Sequence, residues 1–448
     1  MMRYGPRTRP AWMRARNTRR GFGKVTFAVG LVVERPRNTT QRNRNGGTVI
    51  RFLHTADWQI GTQFGQFEPD EAAHLGEARF DTVRRIAEEA AARNVDAVLV
   101  AGDVFDLQTV SDTVIRRLFA ALQAFSGTWI MLPGNHDAAL VESVWTRAQR
   151  LNCVPPNVRL VLESGVVLLD ACRCALLCAP LTQRITYDDT TAFFDSVETP
   201  LGYHRVGLAH GSVGGILQEG IDSSNPIAPT RAVSARLDYL ALGDWHGHLR
   251  VDERTWYAGT HEQDRFRANE PGFVLDVTIN EPGASPQVDV VRVGRYRWHR
   301  WDETISVPTD IDALKARLAE LGANDVLRIE VDGTAALADA EALHVAVEEA
   351  RARVRALRAD LSSLHVLPTA DDLAELGAQS GYLAKVVARL RGLQEDAQAD
   401  PQQARRAAEA LLLLARFQRE QWHRDSHAAP PAQARERQPE APREGACA

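Results

Sequence analysis

Five strand-like runs in this chain each stop on residue types that bind metal ions or move protons. Val49–Ala56 stops at Asp57, Asp96–Ala101 at Gly102-Asp103, and Thr128–Leu132 at Pro133-Gly134-Asn135-His136-Asp137. Further on, Arg205–Ala209 stops at His210, and Tyr239–Leu242 runs into Gly243-Asp244-Trp245-His246-Gly247-His248. Between the first three runs the pattern turns helical. Glu71–Arg93 places Leu75, Phe80, Val83, Ile86 and Ala90 at roughly helical spacing, and Ser111 has the character of an N-cap for a second helix. Strand, helix, strand, helix, strand predicts an α/β layered domain, a βαβαβ core with helices flanking its sheets.

In open α/β sheets, ligands gather outside the carboxyl ends of the strands. Asp57, Asp103, Asn135, His210, His246 and His248 are therefore expected to converge in one cleft. Carboxylate, amide and imidazole donors without thiolate suit manganese, iron or zinc. So many donors exceed what one catalytic ion with open positions can use, and they match two. Two ions about 3.5–4 Å apart clamp the attacking and leaving oxygens of a phosphoryl transfer. Asp103, on the middle strand, is the expected bridging carboxylate. Each motif alone has a plainer reading, since an Asp after a strand is usually a turn residue. The ordered set is what carries the weight.

Composition limits the alternatives. At 448 residues the chain has room for two or three domains. No apolar run approaches the roughly 20 residues that span a bilayer, so no membrane partner is expected. Thr26–Val33 after an Arg-rich start imitates a signal peptide, but Glu34, Arg35 and Pro36 stand where small cleavage-site residues belong. The expected location is cytoplasmic, with nucleoid-associated work. Cys172, Cys174 and Cys178 lack a paired zinc-knuckle spacing and read as buried reduced thiols. Residues 1–48 carry eleven Arg and Lys24 against Glu34, a net of +11, so the −5 chain leaves −16 for the remainder. An acidic body is not that of a self-sufficient DNA binder.

The expected division is an Arg-rich disordered arm or start-site artefact at 1–48 and a catalytic domain at 49–285, closed by the link Asn280–Pro286. A small mixed α/β module follows at 287–366, with strands near Val288–Val293 and Val326–Val331 and helices at Ile311–Leu321 and Ala340–Arg353. A helical region at 370–426 and a disordered tail at 427–448 complete the chain.

With these residues in place, the chain resembles the calcineurin-like metallophosphoesterases, and within them the SbcD-type DNA repair nuclease subunits. The resemblance runs over about residues 49–285 and rests on the motif order ADWQIG, AGDVFD, PGNHD, LAHGS, GDWHGH and YAGT. It implies a two-metal phosphodiesterase with Asp57, Asp103 and His248 on one ion, and Asp103, Asn135, His210 and His246 on the other. His136 is implied near the leaving oxygen, protonating or stabilising it, and Asp137 either orients it or serves as a helix-cap or turn residue. Asp106 is expected to anchor the loop after Asp103. The implied cofactors are two divalent ions, Mn2+ first and Fe2+ or Zn2+ next. One position departs. Gln59 stands two residues after the first Asp, where the family usually places His. Its amide oxygen can bind a hard ion but is less basic than an imidazole nitrogen, so direct ligation and a bond to a metal-held water both stay open.

The resemblance also implies partners: DNA as substrate, and an ATPase of the SbcC type held by the helical region beyond a capping domain at 287–366. A homodimer is left open. Leu411–Leu414, with Ala408 and Phe417, form a broad apolar helix face that suits a partner groove or burial in the chain's own bundle. In the run Arg295–Trp301, strand alternation puts Arg295, Arg297 and His299 on one face and Tyr296 and Trp298 on the other. Arg295, Arg297 and Arg300 are the candidate DNA contacts, although any amphipathic edge strand looks the same. The expected function is a nuclease, exonuclease or endonuclease, that processes DNA ends in repair and recombination. Two other readings compete: a small-substrate (nucleotide) phosphodiesterase or phosphatase with the same metal site, and a scaffold whose metal site has decayed.

Overall fold

The computed structural model describes residues 48–215, 224–267, 269–369, 374, 381–395 and 400–427. Apart from Thr48 and His427, the expected arm and tail lie outside these. The chain divides into two compact units. Met1–Gly61, Arg84–Gly259 and Val274–Val291 form the first, and Thr62–Val83, Thr260–Phe273 and Arg292–Ala448 the second.

The runs that stop on ligand-type residues become the central strands of the first unit. In chain order its strands begin with β1 (Ile50–Thr55), β2 (Ala97–Ala101), β3 (Thr128–Leu132), β4 (Val158–Leu160), β5 (Gly165–Leu169), β6 (Cys174–Ala179) and β7 (His204–His210). Then come the short β8 (Ser212–Val213) and β9 (Pro226–Ile227), followed by β10 (Tyr239–Gly243), β11 (Leu249–Arg250), β12 (Thr255–Tyr257), β13 (Phe273–Ile279) and β14 (Gln287–Arg292). They build two six-stranded sheets, ordered β14-β13-β1-β2-β3-β4 and β11-β12-β10-β7-β6-β5. Strands β1 to β4 are parallel, as are β6, β7, β10 and β12. Parallel strands need crossover connections. Helices α1 (Pro69–Ala92), α2 (Asp112–Ala121) and α3 (Val144–Arg150) supply the first three, and Ser111 caps α2 by accepting the Val114 N–H. The one-turn α4 (Arg231–Ser234) precedes β10.

Alternate residues of both sheets feed one core, in which Phe52, Leu99 and Ile130 meet Leu176, Leu208 and Tyr239. Cys172, Cys174 and Cys178 lie in that core as free thiols, and burial pushes the Cys178 thiol up to about 12. Toward the carboxyl ends the core side chains shrink to Ala56, Ala101 and Ala241, and the sheets close up. There His210 Nδ1 donates across to the Ala101 carbonyl at 2.8 Å, and His54 Nε2 to the Leu242 carbonyl at 3.1 Å. The chemistry-bearing strand ends meet at this seam.

The strand expected near Val288–Val293 as part of the second module is instead β14, the edge of the first sheet beside β13. The link before it is only a turn of a hairpin-like return, so the Gly/Pro composition marks a reversal rather than a boundary.

In the second unit, β15 (Arg297–Ile305), β16 (Asp325–Ala336) and β17 (Ala356–Leu367) form a parallel three-stranded sheet. Helices α5 (Pro308–Glu320) and α6 (Leu337–Arg353) cross over between them, burying Leu314, Leu318, Leu343 and Val347. Into the start of β15 the alternation holds: Arg295 and Arg297 are exposed, whereas Tyr296 and Trp298 pack with Phe64 and Phe67. A polar hub lies at its start. The buried Glu262 carboxylate accepts the N–H groups of Arg295 and Tyr296 at 2.8 Å and the Thr82 hydroxyl at 2.6 Å. The buried Arg79 guanidinium donates to the Glu262 carbonyl and to Thr260 Oγ1. Helices Tyr382–Glu395 and Pro401–His427 follow, and Leu411 and Ala415 pack with Val387 and Leu337. Leu413 and Phe417 stay exposed. No described helix is long and apolar enough to cross a membrane.

Candidate metal centre

The ends of β1, β2 and β10 deliver their side chains by bending out of strand geometry. Asp57, Gln59, Asp103 and Asp244 all have positive φ, at 53°, 39°, 50° and 108°. Non-glycine residues rarely adopt that region, and it costs on the order of 1–3 kcal/mol each, so the surrounding structure must enforce it. Backbone bonds do so: Asp57 N–H donates to the Gly102 carbonyl at 3.1 Å, and Gln59 N–H to the Asp103 carbonyl at 2.8 Å. Small residues make room. A Cβ at Gly134 would collide with the Asp103 carboxylate, and one at Gly102 with the His210 ring.

The side chains so delivered converge. Donor atoms of Asp57, Asp103 and His210, all buried, lie within 4.8 Å of one another. Around His210 Nε2 stand Asn135 Oδ1 at 3.1 Å, Asp103 Oδ1 at 3.6 Å and Asp244 Oδ1 at 3.8 Å. Because His210 Nδ1 is committed to the Ala101 carbonyl, Nε2 is the nitrogen left facing these oxygens. Gln59 and His246 form a second grouping, with Gln59 Nε2 3.3 Å from His246 Nε2. The resemblance puts His246 with Asn135 and His210, but the geometry brings Gln59 beside it. His248 lies where the chain enters β11, its backbone nitrogen packed against Gly259.

His136 and Asp137 divide differently from expectation. Asp137 does not hold His136. It is fully buried, and its carboxylate accepts the Phe105 N–H at 3.0 Å and the Gly134 N–H at 2.7 Å, tying together the two loops that carry Asp103 and Asn135. Asp106 is what positions His136: its carbonyl accepts from His136 Nδ1 at 2.8 Å and its carboxylate lies 3.6 Å away. The His136 backbone N–H meanwhile donates to Asp103 Oδ1 at 2.9 Å. Sequence reasoning gave Asp106 only a loop role; the acidic residue three positions after Asp103 was the available signal. Arg295, Arg297 and Arg300 lie in the second unit, where Arg295 stacks on Tyr296, Arg297 pairs with Asp325 and Arg300 with Asp302.

The electrostatics are those of a site built around cations. Burial pushes the Asp57 carboxyl up to about 7; His246 and His210 pull it down, while Asp103 and Asp244 add to the rise. Asp137 is likewise raised to about 7, by burial and then by Asp103. Burial alone would lower His210, but the carboxylates of Asp103, Asp57 and Asp244 outweigh it and hold the ring up at about 9. The bond to Asp106 is the main reason that His136 is raised to about 9. Like charges crowded in a buried seam repel, and a divalent cation reverses that. Oxygen and imidazole donors at these separations fit divalent ions, and a thiolate-free set of this kind excludes an iron–sulfur cluster.

Comparison with known proteins agrees with this chemistry. Residues 50–220 match the calcineurin-like phosphoesterase family. The chain is 27% identical over 209 residues to the uncharacterized metallophosphoesterase YhaO of Bacillus subtilis (strain 168), covering 44% of this chain and 49% of that protein. It is 37% identical over 92 residues to a subunit of the nuclease SbcCD of Escherichia coli (strain K12), covering 20% of this chain and 22% of that one. It is 25% identical over 249 residues to the DNA double-strand break repair protein Mre11 of Methanosarcina acetivorans, covering 52% and 37% respectively. The chain thus spans about half the length of the first relative and less of the other two. These matches support the calcineurin-like metallophosphoesterase superfamily. The family match stops at residue 220, before Asp244 and His246.

Proposed function

We propose that this calcineurin-like metallophosphoesterase is a two-metal DNA nuclease that acts at DNA ends in repair, together with an ATPase subunit. The observation that carries the hydrolytic half is the ring of Asn135, Asp103 and Asp244 oxygens around His210 Nε2. The DNA half is supported by the names of two partial relatives, a nuclease subunit and a double-strand break repair protein. The module of β15 to β17 would then cap the substrate, and 370–426 would carry the ATPase contact.

Asp57, Gln59, Asp103, Asn135, His210 and His246 would hold two divalent ions, Mn2+ in the first instance. When bound, such ions supply positive charge to the phosphoryl oxygens and lower the pKa of the attacking water. The chain's own residues do the rest. Asp103, with its carboxylate accepting the His136 N–H, fixes where His136 stands relative to the ions. Asp106 orients the His136 ring through Nδ1, which leaves Nε2 to give a proton to the departing oxygen. Asp137 keeps the two loops in register.

The test is cleavage of end-labelled duplex DNA with added Mn2+, comparing wild type with Asp103→Asn and with EDTA. Manganese-dependent cutting lost in both controls is expected. Turnover of a small phosphodiester without any DNA cutting, with or without the ATPase partner, would overturn the nuclease reading and leave the small-substrate phosphodiesterase.

A further inference from the structure

We infer that Asp244 is a metal ligand of this centre, giving an oxygen-rich donor set that selects manganese over zinc. This rests on the reading of the strand-end cluster as a two-metal centre. Ions of this class bind oxygen and nitrogen donors at about 2.0–2.2 Å, so two donors on one ion lie between about 3.0 Å, at right angles, and about 4.3 Å, opposite one another. Measured from His210 Nε2, Asn135 at 3.1 Å, Asp103 at 3.6 Å and Asp244 at 3.8 Å all fall within that window. Three oxygens from three other strand ends thus each stand at a coordination-compatible distance from His210 Nε2.

The backbone supports the assignment independently. Asp244 follows β10 directly and has the most extreme positive φ of the strand-end residues, 108°. A residue so placed is strained unless its side chain has a use there. Its N–H donates to the Asp57 carboxylate at 3.1 and 3.3 Å, so the turn that presents Asp244 is itself locked to another donor of the cluster. Asp244 also supplies a donor that Gln59 cannot: a full negative charge.

With Asp244 included, the set comprises three carboxylates (Asp57, Asp103, Asp244), two amides (Gln59, Asn135) and two imidazoles (His210, His246). Carboxylate and carbonyl oxygens suit manganese and magnesium, whereas imidazole suits zinc. Gln59 stands where the family usually places His, and it offers an amide oxygen instead. The combination therefore favours the harder ion.

The experiment titrates chelator-stripped full-length protein with Mn2+ and with Zn2+ by calorimetry, and follows competition between them. Wild type should take up two equivalents of Mn2+. Asp244→Ala should lose at least about tenfold in affinity for one of them, while circular dichroism of the metal-free protein shows an unchanged fold. Asp244→His should keep both equivalents and move the Zn2+ against Mn2+ preference at least about tenfold toward zinc. Unchanged binding in Asp244→Ala would overturn the inference. Wild type that binds no divalent ion would instead overturn the metal-centre reading itself, and the two failures are told apart by that first titration.

Discussion

Both units of the chain send parallel strands into loops, yet only one makes a chemical site of them. In the second unit the strand ends are quiet. The Asp310 carboxylate accepts the N–H groups of Ser306 and Val307 at 2.8 and 2.9 Å, closing off the donors before α5. A cavity of about 310 Å³ lies there, and Asp339 is the one ionisable residue among its described lining, beside Ile305, Pro308, Ile311 and Leu367. Among the described residues from Arg292 to Thr369 the one positive φ belongs to a glycine, Gly333. In the first unit, by contrast, Asp57, Gln59, Asp103 and Asp244 all sit strained at strand ends. The same topology supplies the place in both; strain held by neighbouring backbone is what separates a site from a cap.

The sharpest way to break that comparison uses one glycine from each unit. Gly102 and Gly333 both have positive φ, at 89° and 100°. A Cβ at Gly102 would collide with the His210 imidazole, and one at Gly333 with the Ile305 carbonyl. Gly102→Ala should displace His210 and weaken divalent-ion binding at least about tenfold. Gly333→Ala should cost about 1–3 kcal/mol of stability in urea unfolding, yet leave metal affinity within about twofold. If Gly333→Ala weakened metal binding as much as Gly102→Ala, the division between chemical and structural strand ends would fail.

The same contrast explains what could be read from the sequence. β1, β2, β3, β7 and β10 were legible because a short apolar run stopped abruptly on Asp, Asn or His, and no turn chemistry demands that five times in order. Asp57, Asp103, Asn135 and His210 came with them. Asp244 did not, because counting alternate residues past a strand end assumes extended backbone, and its φ of 108° breaks the count. The two histidines further along drew attention instead. Asp106 and Asp137 were exchanged in role for a related reason: both are near His136 in sequence or fold, and only the direction of the loops decides which one bonds it. Arg79 was illegible as a core residue. It sits in a charged helical stretch, and its partners Thr260 and Glu262 lie about 180 residues later. The edge strand β14 looked like the start of a new module because apolar patterning alone does not reveal which sheet a strand joins.

A second test asks whether the seam between the two sheets depends on a neutral histidine. His54 is fully buried: Tyr239 donates its hydroxyl to Nδ1 at 3.0 Å, and Nε2 donates to the Leu242 carbonyl. Burial lowers its pKa to about 3, only partly opposed by the Leu242 bond. The unfolded chain takes up a proton near pH 6.5, the folded chain not until about 3. The contribution of a neutral His54 is therefore complete above about pH 6.5 and is lost progressively as pH falls toward 3. Other buried groups titrate nearby, so the difference between wild type and His54→Gln isolates the effect. Urea unfolding with metal present should show wild type ahead at pH 7 and that lead shrinking by a few kcal/mol by pH 4. A lead that stays constant with pH would mean that the seam tolerates a charged His54.

The smallest effects belong to the exposed arginines of β15, and they sharpen what the second unit contributes. Arg297 lies 3.1 Å from Asp325, which also receives His299 Nε2 at 2.9 Å and the Gly322 N–H at 2.9 Å. Burial would raise the Asp325 carboxyl, but these partners outweigh it and lower the pKa. Asp325 is thus well served without Arg297. An ion pair with an exposed partner is worth at most about 1 kcal/mol, so Arg297→Ala should barely move stability. If these candidate arginines meet DNA, each phosphate contact contributes about 0.9 to the slope of log affinity against log salt. Replacing Arg295, Arg297 and Arg300 together by Ala should then lower that slope by between about 1 and 3, uniformly across sequences. An unchanged slope would place the DNA contacts elsewhere and return β15 to the role of an ordinary amphipathic edge, with Tyr296 and Trp298 buried and the arginines merely solvated.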